Sequence, residues 1–78
     1  MRLLNCFRPT QVLPNGWHRA TAVTAFVAEA EGELSLAENA DVRFWHDGPA
    51  PAGWVYAVLS ADAASAGLVS VRPGYMYI

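Results

Sequence analysis

The amino-acid sequence predicts a small all-β domain, and three observations point to it. Leu34-Ser35-Leu36 and Val42-Arg43-Phe44 alternate with period two, as half-buried strands do. Trp54–Leu59 is almost wholly apolar, the pattern of a central strand covered on both faces. Leu68-Val69-Ser70-Val71 and Met76-Tyr77-Ile78 follow as two further short runs, with the turn signal Pro73-Gly74 between them. Five short strands in 78 residues imply a small barrel or a pair of packed sheets.

Taken in order, residues 1–16 carry Pro9, Pro14 and Gly16 among apolar side chains, a mixture that suits an irregular arm. Leu3, Leu4, Phe7, Val12, Leu13 and Trp17 make that arm too apolar to lie in water, so it is expected to pack on something. Residues 20–40 read two ways. Their alanines and glutamates favour helix, with Val23, Val27 and Leu34 at roughly helical spacing, and composition alone does not choose. Residues 46–53 and 61–67 are expected to be loops, and no internal repeat is present.

A chain of this length forms one domain and buries too little surface for both a core and an enclosed catalytic chamber, so a surface binding site is expected. Net charge is −2, and Arg2, Arg8, Arg19, Arg43 and Arg72 are scattered with no lysine among them. Nucleic acid is therefore not an expected partner, because phosphate contacts need a clustered positive face. The acidic residues are clustered, with Glu29, Glu31, Glu33 and Glu38 followed by Asp41, a stretch suited to a cationic partner.

Cys6 is the sole cysteine, which rules out an internal disulfide, a multi-thiolate zinc site and a CxxC redox pair. A reducing, cytoplasmic setting is the simpler expectation. No apolar run is long enough for a signal peptide or a membrane span. His18 and His46 are far apart and lack a neighbouring cysteine, so no metal and no cofactor are expected. His46-Asp47 resembles a base with its orienting acid, but neither a nucleophile nor an oxyanion site accompanies it, and no enzymatic activity is expected.

Several segments, in order, resemble a Src homology 3 (SH3) domain over about residues 20–78. Ala22-Val23-Thr24-Ala25-Phe26 is similar to the family's Ala-Leu-Tyr-Asp-Tyr signature, and Glu31-Gly32-Glu33-Leu34-Ser35-Leu36 to its acidic RT loop and the Asp-Glu-Leu-Ser-Phe that closes it. Glu38-Asn39-Ala40-Asp41-Val42 resembles the following turn and second strand. Gly53-Trp54-Val55-Tyr56-Ala57 resembles the Trp-Trp strand with its first tryptophan kept, and Gly67-Leu68-Val69 the run before the family's Pro-Ser-Asn-Tyr turn. The resemblance implies a five-stranded SH3-type barrel over residues 18–78, preceded by an irregular arm over residues 1–17. It also implies that residues 20–40 form a strand and a long irregular hairpin in place of a helix.

SH3 domains bind peptides in the polyproline II conformation across aromatic ridges, with an acidic pocket beside a tryptophan that takes an arginine or lysine of the ligand. Carried over by position, the resemblance implies Trp54 as that tryptophan, Glu29, Glu31 and Glu33 as the carboxylates, and Phe26 with either Tyr75 or Tyr77 as ridge aromatics, Tyr75 preferred. Ser70 stands where the family has the proline that floors the groove, and Thr24, Ala25 and Gly53 also depart from the pattern. The implied function is recognition of a proline-containing or basic peptide of a partner protein, as in adaptors and scaffolds. The alternative is a docking or assembly domain whose groove is covered by its own arm or by another part of a larger protein.

Overall fold

The computed structural model describes residues 5–45 and 48–72, which form one five-stranded antiparallel sheet. The strands are β1 (Phe7–Val12), β2 (Trp17–Ala22), β3 (Asp41–Trp45), β4 (Trp54–Leu59) and β5 (Asp62–Ser70), and their order in the sheet follows their order in the chain. The expected turn at Pro73-Gly74, the strand at 76–78 and Tyr75 lie outside the described residues, as do Leu3, Leu4 and the His46-Asp47 pair.

The arm expected to be irregular holds a strand. β1 pairs with β2, with Phe7 opposite Ala22 and Val12 opposite His18, and the register slips between Pro9 and Gln11. Proline lacks an amide proton and breaks a ladder, so its place in a sheet is an edge strand or a bulge, and Pro9 occupies both. The polar, exposed composition of Arg8-Pro9-Thr10-Gln11 is that of an edge and carries no core-strand signature. A single 3-10 turn at Pro14–Gly16 joins β1 to β2, with Asn15 at φ 64° and Gly16 at φ 81°. An asparagine-glycine pair accepts those left-handed angles at little cost.

Residues 61–67, expected to be a loop, are mostly strand. β5 begins at Asp62 and pairs with β4 through Val58 opposite Ala66, Ala57 opposite Gly67, Tyr56 opposite Leu68 and Trp54 opposite Ser70. Alanine and serine have weak strand preference, and here the neighbouring strand imposes the conformation. Where Leu34-Ser35-Leu36 was expected to be a strand, there are isolated bridges, Phe26 to Leu36 and, one residue before the segment, Glu33 to Leu68. Residues 23–40 otherwise follow the expected course, a long irregular hairpin without helix.

The sheet is not closed into a barrel. Closure needs a ladder between the first and last strands, and among the described residues the two ends meet only through a bridge between Asn5 and Val71. From Phe7 onward β1 pairs with β2 alone.

Directly opposed residues on neighbouring strands share a face of the sheet. One face carries Ala20, Ala22, Val42, Phe44, Val55, Ala57 and Val69, and the hairpin adds Phe26, Leu34 and Leu36 to the same core. Among the described residues no helix is long and apolar enough to cross a membrane.

Candidate functional site

The opposite face is built from the alternate residues of the same strands. Trp17 on β2 lies opposite Trp45 on β3, Trp45 opposite Tyr56 on β4, and Tyr56 opposite Leu68 on β5. Beyond Leu68 the next chain is the hairpin, where Glu33 bridges Leu68. The register therefore sets Trp17, Trp45, Tyr56, Leu68 and Glu33 in one row across the sheet.

The rings in the row touch. Trp17 and Trp45 stack at 5.8 Å with planes 11° apart, and Tyr56 meets Trp17 at 6.4 Å and 74°. Trp17 and Trp45 are half-buried and Tyr56 is 37% exposed. The connection from β3 to β4 returns over Trp45: the Gly48 amide donates to the Trp45 carbonyl at 3.3 Å, and a Cβ added at Gly48 would lie 3.0 Å from the indole. Pro49 and Pro51 then wall a hollow of about 370 Å³ floored by Trp17, Trp45 and Tyr56. Such a volume and apolar lining are those of a ligand groove.

Trp54 continues this face, two residues before Tyr56 on β4 and opposite Ser70. It is half-buried, and its ring meets that of Phe26 at 6.4 Å and 88°, an edge-on aromatic contact. Phe26 was expected on the surface ridge. At 2% exposure it lies in the core, where it orients Trp54 and offers no surface to a ligand. Ser70, expected at the groove floor, is 3% exposed beside Trp54, and its hydroxyl has no hydrogen-bond partner among the described residues.

The expected carboxylates stand on the hairpin tip. Oε1 of Glu33 accepts the Glu29 amide at 3.1 Å, and Ser35 Oγ accepts the Ala28 amide at 2.9 Å, which ties the two arms of the tip together. Glu29 and Glu31 are exposed and Glu33 half-buried. The tip is seated on β5 by two backbone hydrogen bonds, Leu34 amide to Leu68 carbonyl at 3.0 Å and Leu68 amide to Gly32 carbonyl at 2.8 Å. Gly67 makes that approach possible, since a Cβ there would lie 2.7 Å from the Gly32 carbonyl oxygen. Glu33 thus faces Leu68, two residues, or about 7 Å along β5, from the partner of Trp54.

A charged row runs beside the aromatic one. Arg19 on β2 lies directly opposite Arg43 on β3, and Arg43 opposite Val58 on β4. Asp41 takes Arg19 in a forked ion pair, with Nη2 to Oδ2 at 2.6 Å and Nε to Oδ1 at 3.1 Å. The Arg19 hydrogen bond holds the Asp41 carboxyl below the usual carboxylate range, aided by a 3.0 Å bond from the Ser60 hydroxyl, and Asp41 in turn raises Arg19. Among the described residues no group of three or more His, Cys, Asp or Glu side chains is placed to hold a metal ion.

Sequence reasoning placed Trp54 and the hairpin carboxylates together but missed the row of Trp17, Trp45 and Tyr56. The detectable signal was Asn15-Gly16, a hairpin turn that fixes β2 directly after it and so starts that strand at Trp17. Compared with known proteins, the chain matches no family model, no curated protein and no solved structure.

Proposed function

We propose that this domain is a protein-interaction module that binds an extended, proline-containing peptide segment of a partner, with a basic residue of the ligand held by the hairpin carboxylates. The observation that carries the reading is the seating of the acidic tip on β5. It sets Glu33 at the end of the aromatic row and near Trp54. A peptide in the polyproline II form is ordered before it docks, so a flat aromatic strip suffices as its floor. Charge-assisted hydrogen bonds from an arginine or lysine to the glutamates then fix its direction. The resemblance to SH3 domains supports the same residues, with Trp54 as the anchor, although the open sheet departs from the family's barrel.

The test is a two-dimensional NMR titration of the labelled chain with proline-rich peptides that carry or lack a basic residue. The expected result is movement of the Trp54 indole and of the 29–34 amides with basic peptides. Trp54→Ala is expected to weaken that binding by about 2 kcal/mol, as loss of an interface aromatic anchor does. A folded Trp54→Ala protein with unchanged affinity would overturn the reading. Silence from every peptide would favour the docking or assembly role, with whole proteins as the partners to be sought.

A further inference from the structure

Arg19 and Arg43 lie side by side on the outer face of the sheet, and the carboxylate of Asp41 serves only the first of them. Arg19 and Arg43 are direct cross-strand neighbours, an arrangement that is unfavourable for like charges. Asp41 is occupied by Arg19 in the forked pair and by the Ser60 hydroxyl. Arg43 is half-buried, and its guanidinium has no ion pair or hydrogen bond among the described residues. It is a guanidinium with five donors, facing a second guanidinium, at a place where water is partly excluded.

Around it the surface is hollow and mostly apolar. A concavity of about 580 Å³ lies between the β1–β2 turn and β4, lined by Leu13, Pro14, Trp17 and Val58 together with Arg43. Trp17 also lines the hollow beneath Pro49 and Pro51. The features that would recognise a ligand here are therefore an apolar wall and one uncompensated cation.

We infer that this hollow docks a peptide segment of a partner protein in which an apolar side chain adjoins a glutamate or aspartate, the carboxylate taken by Arg43 and the apolar group by Trp17 and Leu13. The inference shares with the proposed function the premise that the outer face binds peptides and the ring of Trp17, but it turns on Arg43 and Leu13, which that reading does not use. Charge complementarity selects the occupant. An incoming carboxylate gives Arg43 the partner that Asp41 gives Arg19 and relieves the repulsion between the two. Nucleic acid fits less well, since a polyphosphate backbone calls for several clustered cations, whereas the hollow is lined by a single arginine on a chain of net charge −2.

The experiment uses the full labelled chain, a short capped peptide of leucine and proline with a central glutamate, the same peptide with glutamine, and oligothymidylate. The glutamate peptide is expected to move the Trp17 indole and Arg43 Nε signals and to bind about three- to tenfold more tightly than the glutamine peptide. Arg43→Gln is expected to abolish that preference. Equal affinity of the two peptides for the unaltered protein, or no movement of Trp17 and Arg43, overturns the inference without need of a variant. Tighter binding of oligothymidylate than of the glutamate peptide also overturns it. A response confined to Trp54 and the 29–34 amides would refute this site and leave the basic-peptide reading standing. A response of Trp17 and Arg43 while basic peptides leave Trp54 unmoved would do the reverse.

Discussion

Phe7 of β1 stacks on Phe44 of β3 with ring centroids 4.8 Å apart and planes 15° from parallel, although β2 lies between their strands. The contact is possible because β2 presents the small side chains of Ala20 and Ala22 on its core face, so the two rings meet over them. An N-terminal segment that could have been a detachable cover is in this way part of the core.

The consequence for stability is direct. Phe7 is fully buried, and truncating a buried phenylalanine to alanine costs about 3–5 kcal/mol through lost burial and the cavity left behind. A chain of 78 residues has a total stability of about 4–12 kcal/mol. Phe7→Ala is expected to leave the protein marginal or unfolded, and deletion of residues 1–16 to unfold it, as read by urea denaturation followed at the tryptophans. A stable, cooperatively folded deletion variant would show that the arm is a cover after all.

Gly67 tests the seating of the acidic tip. A methyl group at that position meets hairpin backbone, which cannot swing aside as a side-chain end can. Gly67→Ala is expected to cost about 1–3 kcal/mol, the range for forcing extra volume into a packed site. Hydrogen exchange at the Leu34 and Leu68 amides should quicken selectively, because those two amides carry the bonds that hold the tip on β5. Basic peptides should also bind less tightly, since Glu33 would lose its place beside Leu68.

What the sequence made legible follows from how each segment is stabilised. Trp54–Leu59 and Val42-Arg43-Phe44 were readable because their own side chains supply burial and alternation. Phe7–Val12 and the first half of β5 were not, because an edge strand with a proline and a run of alanine and serine take their conformation from the neighbour they pair with. The same reason hid the aromatic row. Trp17, Trp45 and Tyr56 are far apart in the chain, and only register, which tertiary packing sets, brings them side by side. The choice of Trp54 and the glutamates as site residues rests on a pattern of short motifs, and the burial of Phe26 was not legible from it, since a ridge aromatic and a supporting aromatic look alike in a sequence.

Acid should weaken the fold through Asp41. Its carboxyl is held below the ordinary range chiefly by the Arg19 hydrogen bond, so the folded state binds its proton less readily than the unfolded chain does. The sign is that of a depressed acid: the stabilisation is fully present above the ordinary aspartate value of about 3.9 and is lost as pH falls below it through the folded value. Asp41→Asn is expected to lower Tm at neutral pH and to match the parent protein at strongly acidic pH. The effect should be small, since the pair is about half exposed and solvent screens it. A constant difference in Tm across the whole range would mean that Asp41 acts through packing and not through charge.

Ionic strength separates the two ends of the aromatic row. At ~0.15 M salt the Debye length is about 8 Å, so charges on an exposed tip are already partly screened from a ligand that has yet to dock. Glu29 and Glu31 are exposed, and attraction of a basic peptide by them should weaken steadily as salt is raised beyond that point. A neutral proline-rich peptide of the same length rests on Trp17, Trp45 and Tyr56 by apolar contact alone, and its affinity should stay level or rise slightly. Titrations of both peptides at increasing sodium chloride, followed at the Trp54 and Trp45 indoles, give the comparison. Parallel salt dependence for the two would remove the glutamates from recognition and leave the aromatic face as the whole of the site.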